Sequence, residues 1–216
     1  MYDHTTPIGT FLDAAAAKQP APGGGSVTAL VGALAAAMGE MTLNYSIGKK
    51  GLEAHAGELK KALSELRRAR ALMLSLMAED QIAYEALTAA RKLPEGSLSR
   101  ENELPPALLA CIQVPQAMAA TAAAVIEVCD RVVDKVNYYL LSDLAVCADL
   151  AMATTRCAIY NVRVNLTDLE DANAKNEIEQ TIGRVLSHAI KDIQRVAPRI
   201  WKRHAEGQRA SSRAPV

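Results

Sequence analysis

Pro22-Gly23-Gly24-Gly25-Ser26 runs directly into Val27-Thr28-Ala29-Leu30-Val31-Gly32-Ala33-Leu34-Ala35-Ala36, a stretch of almost nothing but small and aliphatic residues. Three consecutive glycines remove every Cβ from a piece of backbone. Its N–H groups can then turn inward as an anion-binding nest, or the chain can pass very close to a ligand. Ser26 stands where an N-cap is expected, at the positive end of a helix dipole. The helix, read over about Ser26 to Tyr45, is apolar on nearly every side, which marks it as buried in the middle of a bundle. Such a loop is either a ligand cradle or a tight turn, and the rest of the chain must decide between them.

Composition narrows the choice. The 216 residues suit one well-buried core. Half are apolar but only 4 % are aromatic, and alanine dominates, a mixture that favours close-packed helices over a sheet sandwich. Basic and acidic side chains balance at 24 each, so no global field exists to hold nucleic acid, and no nucleic-acid role is assigned. Cys111, Cys129, Cys147 and Cys157 lack metal-site spacing and read as reduced core residues on apolar helix faces. The four histidines are scattered, so no metal site is expected. The N-terminus carries no leader pattern, and Glu40 breaks the apolar run of the second helix. The expectation is a cytoplasmic protein with no membrane span.

Periodicity gives helices throughout and no useful strand alternation. A short helix is expected over about Pro7–Lys18, and a long amphipathic one over Leu52–Lys92. Residues 95–103 read as a polar loop, with Pro105-Pro106 opening a helix that Pro115 kinks. Ser142 is placed as the cap of a helix to about Val164, and the last helix, from about Asp171 to Val196, stops before Pro198. The fold expected is all-α, a single-domain bundle of about six helices over residues 1–200. Residues 201–216 follow as a flexible basic tail.

Candidate chemistry starts with an anomaly. Asp80 lies four residues after Leu76 and four before Tyr84, on the buried stripe of the long helix. A carboxylate there is costly to ionise without partners. It either ties down the end of another helix or acts as a general acid or base of raised pKa. Ser142-Asp143 fits an ordinary helix start, with Asn137 just before it. Lys49 and Lys50 sit in a Gly-flanked loop, either solvated or able to hold a carboxylate-rich ligand. Asn161-Val162-Arg163-Val164-Asn165 closes the series, its polar residues alternating where helix carbonyls want donors.

The order of these pieces along the chain carries more than any one of them. Phe11-Leu12, the Gly23–Ser26 loop, Gly48-Lys49-Lys50, Glu79-Asp80 with Ala83-Tyr84, Lys92-Leu93-Pro94 and Val114-Pro115 follow one another. Asn137 with Ser142-Asp143 and then Asn161–Asn165 complete the row. This resembles the cyclodeaminase/cyclohydrolase family over roughly Phe11 to Asp168. Val136 and Ala145 stand where that family has glycine, and Gly51-Leu52 where it often has Lys-Tyr.

The resemblance implies an all-α homodimer with a long central helix, acting on one-carbon adducts of tetrahydrofolate without a metal or redox cofactor. It implies Asp80 as the proton-transfer group, matching the second carboxylate of the family's D-x-D-like stretch, whose first position is Ala78 here. Asp143 would be a second catalytic residue, positioning the folate or the water. Gly23, Gly24, Gly25 and Ser26 would wall the folate, Asn137 and Ser142 would help position it, and Lys49 and Lys50 would meet its glutamate tail. With no transferase segment in view, hydrolysis of 5,10-methenyltetrahydrofolate is the first expectation. The alternatives are formiminotetrahydrofolate cyclodeaminase and a non-catalytic scaffold of the same fold.

Overall fold

The computed structural model describes residues 2–212, with side chains as far as Glu206. Six helices follow one another: α1 (Ile8–Ala16), α2 (Gly24–Asn44), α3 (Ala56–Arg91), α4 (Leu98–Val132), α5 (Leu141–Leu166) and α6 (Ala172–Ser212). Two single 3₁₀ turns, Glu53–His55 and Tyr138–Leu140, sit at loop exits, and no strand occurs among the described residues. α2 packs against α3 on one side and α5 on the other, while α4 closes the bundle behind them and α6 lies across α4 and α5.

Small residues set how deep α2 sits. A Cβ on Gly32 would come 2.8 Å from the Met73 sulfur, and one on Gly39 would come 2.7 Å from Leu66 Cδ1. α3 therefore presses its side chains against α2 backbone, and α5 does the same through Thr154, 3.0 Å from a Gly32 Cβ, and Cys147, 2.9 Å from a Gly39 Cβ. The same contacts give the α2–α5 register. Gly24 faces Asn161, Gly32 faces Thr154 and Gly39 faces Cys147, so the two helices run antiparallel in step.

α2 is not buried all round, as its composition suggested. Val27, Leu34 and Tyr45 are 37 %, 47 % and 64 % exposed on the face that neither α3 nor α5 covers. By length and composition α2 and α4 would each cross a bilayer, yet most of the apolar window of α2 is covered by its neighbours in the bundle. Of the four cysteines, three are buried and reduced as expected, but Cys157 is exposed, on the outer face of α5.

Three boundaries differ from the sequence reading, and side-chain capping explains two of them. α4 starts at Leu98, inside the expected loop, because the Ser97 hydroxyl accepts from the Arg100 N–H. Pro105 and Pro106 then lie inside the helix. The carbonyls they leave free, on Glu101 and Asn102, belong to exposed residues. α6 passes through Pro198 for a related reason. Arg195 and Arg199 pair with Asp130, and the Arg203 guanidinium donates to the carbonyls of Val133 and Val136 at the end of α4. The segment read as a flexible tail thus continues α6 to Ser212, and its last four residues lie outside those described. Third, α5 starts at Leu141 with Leu140 as N-cap, so Ser142 is inside the first turn and does not cap it.

Candidate functional site

The N-terminus of α2 meets the middle of α3 at Asp80. Gly23, not Ser26, is the N-cap of α2, and Ser26 lies in the first turn with its hydroxyl 3.1 Å from Asp80 Oδ2, donating to it. The Ser26 backbone N–H also donates to that carboxylate. Asp80 therefore does tie down another helix, with its charge at the positive end of the α2 dipole. It is still half-buried, and burial pushes its carboxyl pKa up despite the two bonds from Ser26, which pull it down.

The glycine run has a steric reason at one position. A Cβ on Gly25 would lie 1.9 Å from Asp80 Oδ1, whereas one on Gly24 would meet only Asn161 Oδ1 at 3.4 Å, and one on Gly23 only a carbonyl at 3.8 Å. None of the three has a positive φ; the glycines that do are Gly48, Gly51 and Gly96. The loop is a close approach, not a left-handed turn.

Around Asp80 lies a cavity of about 220 Å³. Its floor is Gly23–Ser26 and Asp80, one wall is Asn161, Val164 and Asn165 of α5, and Cys111 comes from α4. The N-terminal segment supplies the remaining side through Pro20 and Ala21. Gln19 Nε2 anchors that segment by donating to Ala21 O (2.7 Å) and the Tyr2 hydroxyl (3.1 Å), while Tyr2 N–H donates to Gln81 Oε1 at 2.8 Å. Burial, and then the nearby Asp80 charge, push the Cys111 thiol up, so it stays protonated and apolar in character. A roomier groove of 580 Å³ runs between α3 and α4, but its walls are mostly Ala, Pro and Ile, without a half-buried carboxylate.

Not every expected residue comes to this cavity. Gly23, Gly24, Gly25, Ser26 and Asp80 do. Lys49, Lys50, Asn137, Ser142 and Asp143 lie at the other end of α2, about 30 Å away at 1.5 Å per residue over 21 residues. There, Asn137 N–H donates to the buried Ser46 hydroxyl at 2.8 Å, and Lys49 Nζ sits 5.1 Å from the Tyr139 ring centroid. Asp143 is in the first turn of α5, favourable for that helix's dipole. The single pocket expected from the sequence is thus two separate clusters within one chain. Asn161 and Asn165, expected where helix carbonyls want donors, do donate to the carbonyls of Cys157, Cys111 and Asn161. The structure adds that both line the cavity, and their i, i+4 spacing is the signal for that shared face. Cys111 carried no such signal.

An all-α bundle in which one half-buried carboxylate faces the N–H end of a glycine-opened helix defines a class, that of a helical bundle with a small polar pocket at a helix N-terminus. The chain belongs to the Formiminotransferase-cyclodeaminase family, whose profile matches residues 7–184. It is 34 % identical over 181 residues to a methenyltetrahydrofolate cyclohydrolase of Methylorubrum extorquens, covering 82 % of this chain and 87 % of that one. It is 30 % identical over 206 residues to the formimidoyltransferase-cyclodeaminase of Gallus gallus. That match covers 93 % of this chain but only 38 % of the much longer relative. Its fold matches the crystal structure of a formiminotetrahydrofolate cyclodeaminase from Thermotoga maritima with a TM-score of 0.85 and 27 % identity, over 92 % of this chain and 97 % of that one.

Proposed function

We propose that this chain is an enzyme of folate one-carbon metabolism that hydrolyses 5,10-methenyltetrahydrofolate to 10-formyltetrahydrofolate. The observation that carries the reading is Asp80, a carboxylate of raised pKa beside the N–H groups of Gly24–Ser26 in a cavity the size of about seven waters. The near-full-length likeness to the Methylorubrum cyclohydrolase favours this reaction. Water adds to the bridging carbon while the Asp80 carboxylate takes its proton. The C–N5 bond then breaks as Asp80 returns that proton to N5, and the hydroxyl proton leaves to solvent as the formyl C=O forms. First-turn N–H groups of α2 stabilise negative charge developing on the oxygen.

The fold match to the Thermotoga cyclodeaminase supports a second reading on the same residues. N10 bonds to the carbon of the protonated formimino group, Asp80 takes the N10 proton and passes it to the resulting amino group, and the C–N bond breaks to release ammonia and leave the methenyl cation. Purified protein given each substrate separates the two. Loss of methenyl absorbance means hydrolysis, and its appearance from formiminotetrahydrofolate means cyclodeamination. No change with either leaves the non-catalytic scaffold.

The enzyme is further read as a homodimer joined through α2 and α5. Val27, Val31, Leu34, Met38, Met41 and Tyr45 alternate spacings of four and three along the open face of α2. Val146, Leu150, Ala153, Cys157, Tyr160 and Val164 do the same beside them on α5. Asp149 and Arg156, both exposed, lie symmetrically about the midpoint between Met152 and Ala153, so a second copy turned antiparallel about Leu34 and that midpoint sets each Asp149 against an Arg156. The same rotation lays the Asn44–Lys50 end of one protomer against the Asp80 cavity of the other. Lys49, Lys50, Asn137, Ser142 and Asp143 then approach the folate from across the interface. Sedimentation equilibrium tests the dimer.

A further inference from the structure

Pro115 lies inside α4 and has no N–H, so the carbonyl of Cys111, four residues earlier, loses its helix partner at the wall of the cavity. Asn165 of α5 fills that gap: its Nδ2 donates to Cys111 O at 2.8 Å and to Asn161 O at 3.0 Å. Both amide hydrogens are consumed by carbonyls, which only accept, so the orientation of the amide is fixed. One turn earlier, Asn161 Nδ2 donates to Cys157 O at 2.9 Å, and its Oδ1 faces Gly24. Neither amide oxygen has a hydrogen-bond donor among the described residues, and no side-chain oxygen there is sealed away without a partner, so both oxygens remain accessible on residues that line the cavity. Gln81, the other amide there, is spent at both ends, on Tyr2 N–H and Glu85.

We propose that Asn165 and Asn161 determine ligand specificity by presenting their amide oxygens to the N–H edge of the ligand's ring, with Pro115 as the residue that positions Asn165. The inference rests on the folate reading above and names the part of the folate this cavity takes. With the two amide oxygens as acceptors and the first-turn N–H groups of α2 as donors, the cavity offers both halves of a hydrogen-bonding edge and leaves Asp80 for the bridging carbon. A reduced pterin, with ring N–H and amino donors beside a carbonyl oxygen, fits that alternation. At about 220 Å³ the cavity has room for a flat bicyclic ring.

The test separates holding the fold from holding the ligand. Asn165→Leu strips the Cys111 carbonyl of its partner and is expected to lower Tm. It should also weaken tetrahydrofolate binding, read as Kd by titration, and raise KM for methenyltetrahydrofolate by about ten- to a hundredfold, with kcat changed less than about threefold. Adding Pro115→Ala restores an N–H to that carbonyl. The double variant should recover Tm and keep the high KM and Kd. If KM and Kd recover together with Tm, Asn165 is structural only and the inference is overturned. Asn161→Leu, whose lost bond is to a carbonyl already used within its own helix, should raise KM without moving Tm; an unchanged KM also overturns it. A wild-type protein that neither binds tetrahydrofolate nor converts either substrate removes the folate reading itself. Activity with unaffected Asn variants removes this inference alone.

Discussion

The two ends of α2 carry nearly all the polar residues that the sequence singles out, and they are built in opposite ways. At the Gly24 end the backbone is bare, the polar groups point inward, and a carboxylate is held half out of water. At the Asn44 end, the charged lysines point outward on an exposed Gly-flanked loop, and the buried polar links run through the Ser46 hydroxyl, to the Asn137 N–H and the Thr42 carbonyl. On the proposed reading the first end changes a ligand's protonation, and the second attracts and orients it. Proximity along the chain or in a motif series does not say which end a residue serves, and the predicted costs of mutation differ accordingly.

The largest effect belongs to Asp80. Asp80→Asn is expected to lower kcat by about 10³-fold or more, since no other carboxylate lines the cavity. Stability should move the other way. A carboxyl whose folded pKa lies above its unfolded value holds its proton more tightly when folded, so ionisation costs stability as pH rises through the folded value. The variant should therefore match or exceed the wild-type Tm at pH 7–8 and lose that advantage below the ordinary value of 3.8. In the wild type, kcat/KM should fall as pH drops through the raised pKa, because the base must be ionised. A variant that loses Tm and activity together would make Asp80 a helix tie and nothing more.

Gly25→Ala comes next, because its Cβ can be housed only by driving Asp80 from its place. We expect activity to fall by about 10²-fold, against less than about fivefold for Gly24→Ala, whose Cβ makes an ordinary contact. Equal losses would mean that the whole loop, and not one close approach, matters.

Reversing a charge on the open face probes whether the two ends meet. Arg156→Asp places like charges opposite Asp149 in the antiparallel pairing and should weaken the dimer by about tenfold or more. Adding Asp149→Arg should restore it. Activity should follow the dimer fraction if the far end of one protomer completes the cavity of the other. A monomer with full activity would assign the Asn44 end no part in the reaction.

How much of this was legible in the chain depends on where each partner sits. Asp80 was legible because a carboxylate on an apolar stripe is an anomaly visible within one helix. The helices were legible from periodicity, but the start of α4 and the end of α6 were set by Ser97, Arg199 and Arg203, whose caps outweigh nearby prolines. The link from Pro115 through the Cys111 carbonyl to Asn165 could not be read, since the gap and the group that fills it lie 54 residues apart. The separation of Lys49 and Asp143 from Asp80 was hidden too, because a straight helix of 21 residues moves its ends apart without leaving a mark in the motif order.

Ser46 tests the stability side of the far end. It is fully buried, donates to Thr42 O at 2.6 Å and accepts from Asn137 N–H. Ser46→Ala leaves that N–H buried without a partner, at about 1–3 kcal/mol. For a chain of this length that is a fall in Tm of roughly 2–4 °C per kcal/mol, read by thermal melting, with kcat unchanged if the end only orients.

Lys49→Ala should have the smallest effect and is the most discriminating for the contrast between the ends. Lys49 is exposed and leans on the Tyr139 ring, so losing it costs the fold almost nothing. If the lysine loop of one protomer meets the anionic arm of a folate seated in the other, KM rises about three- to tenfold at low salt. The penalty shrinks as ionic strength climbs, because an exposed point charge acts through screened solvent. kcat stays put, since no reacting atom is touched. A KM that does not move at low salt would send the glutamate arm elsewhere. The Asn44 end would then be a structural joint, and the chemistry would belong wholly to the Gly24 end.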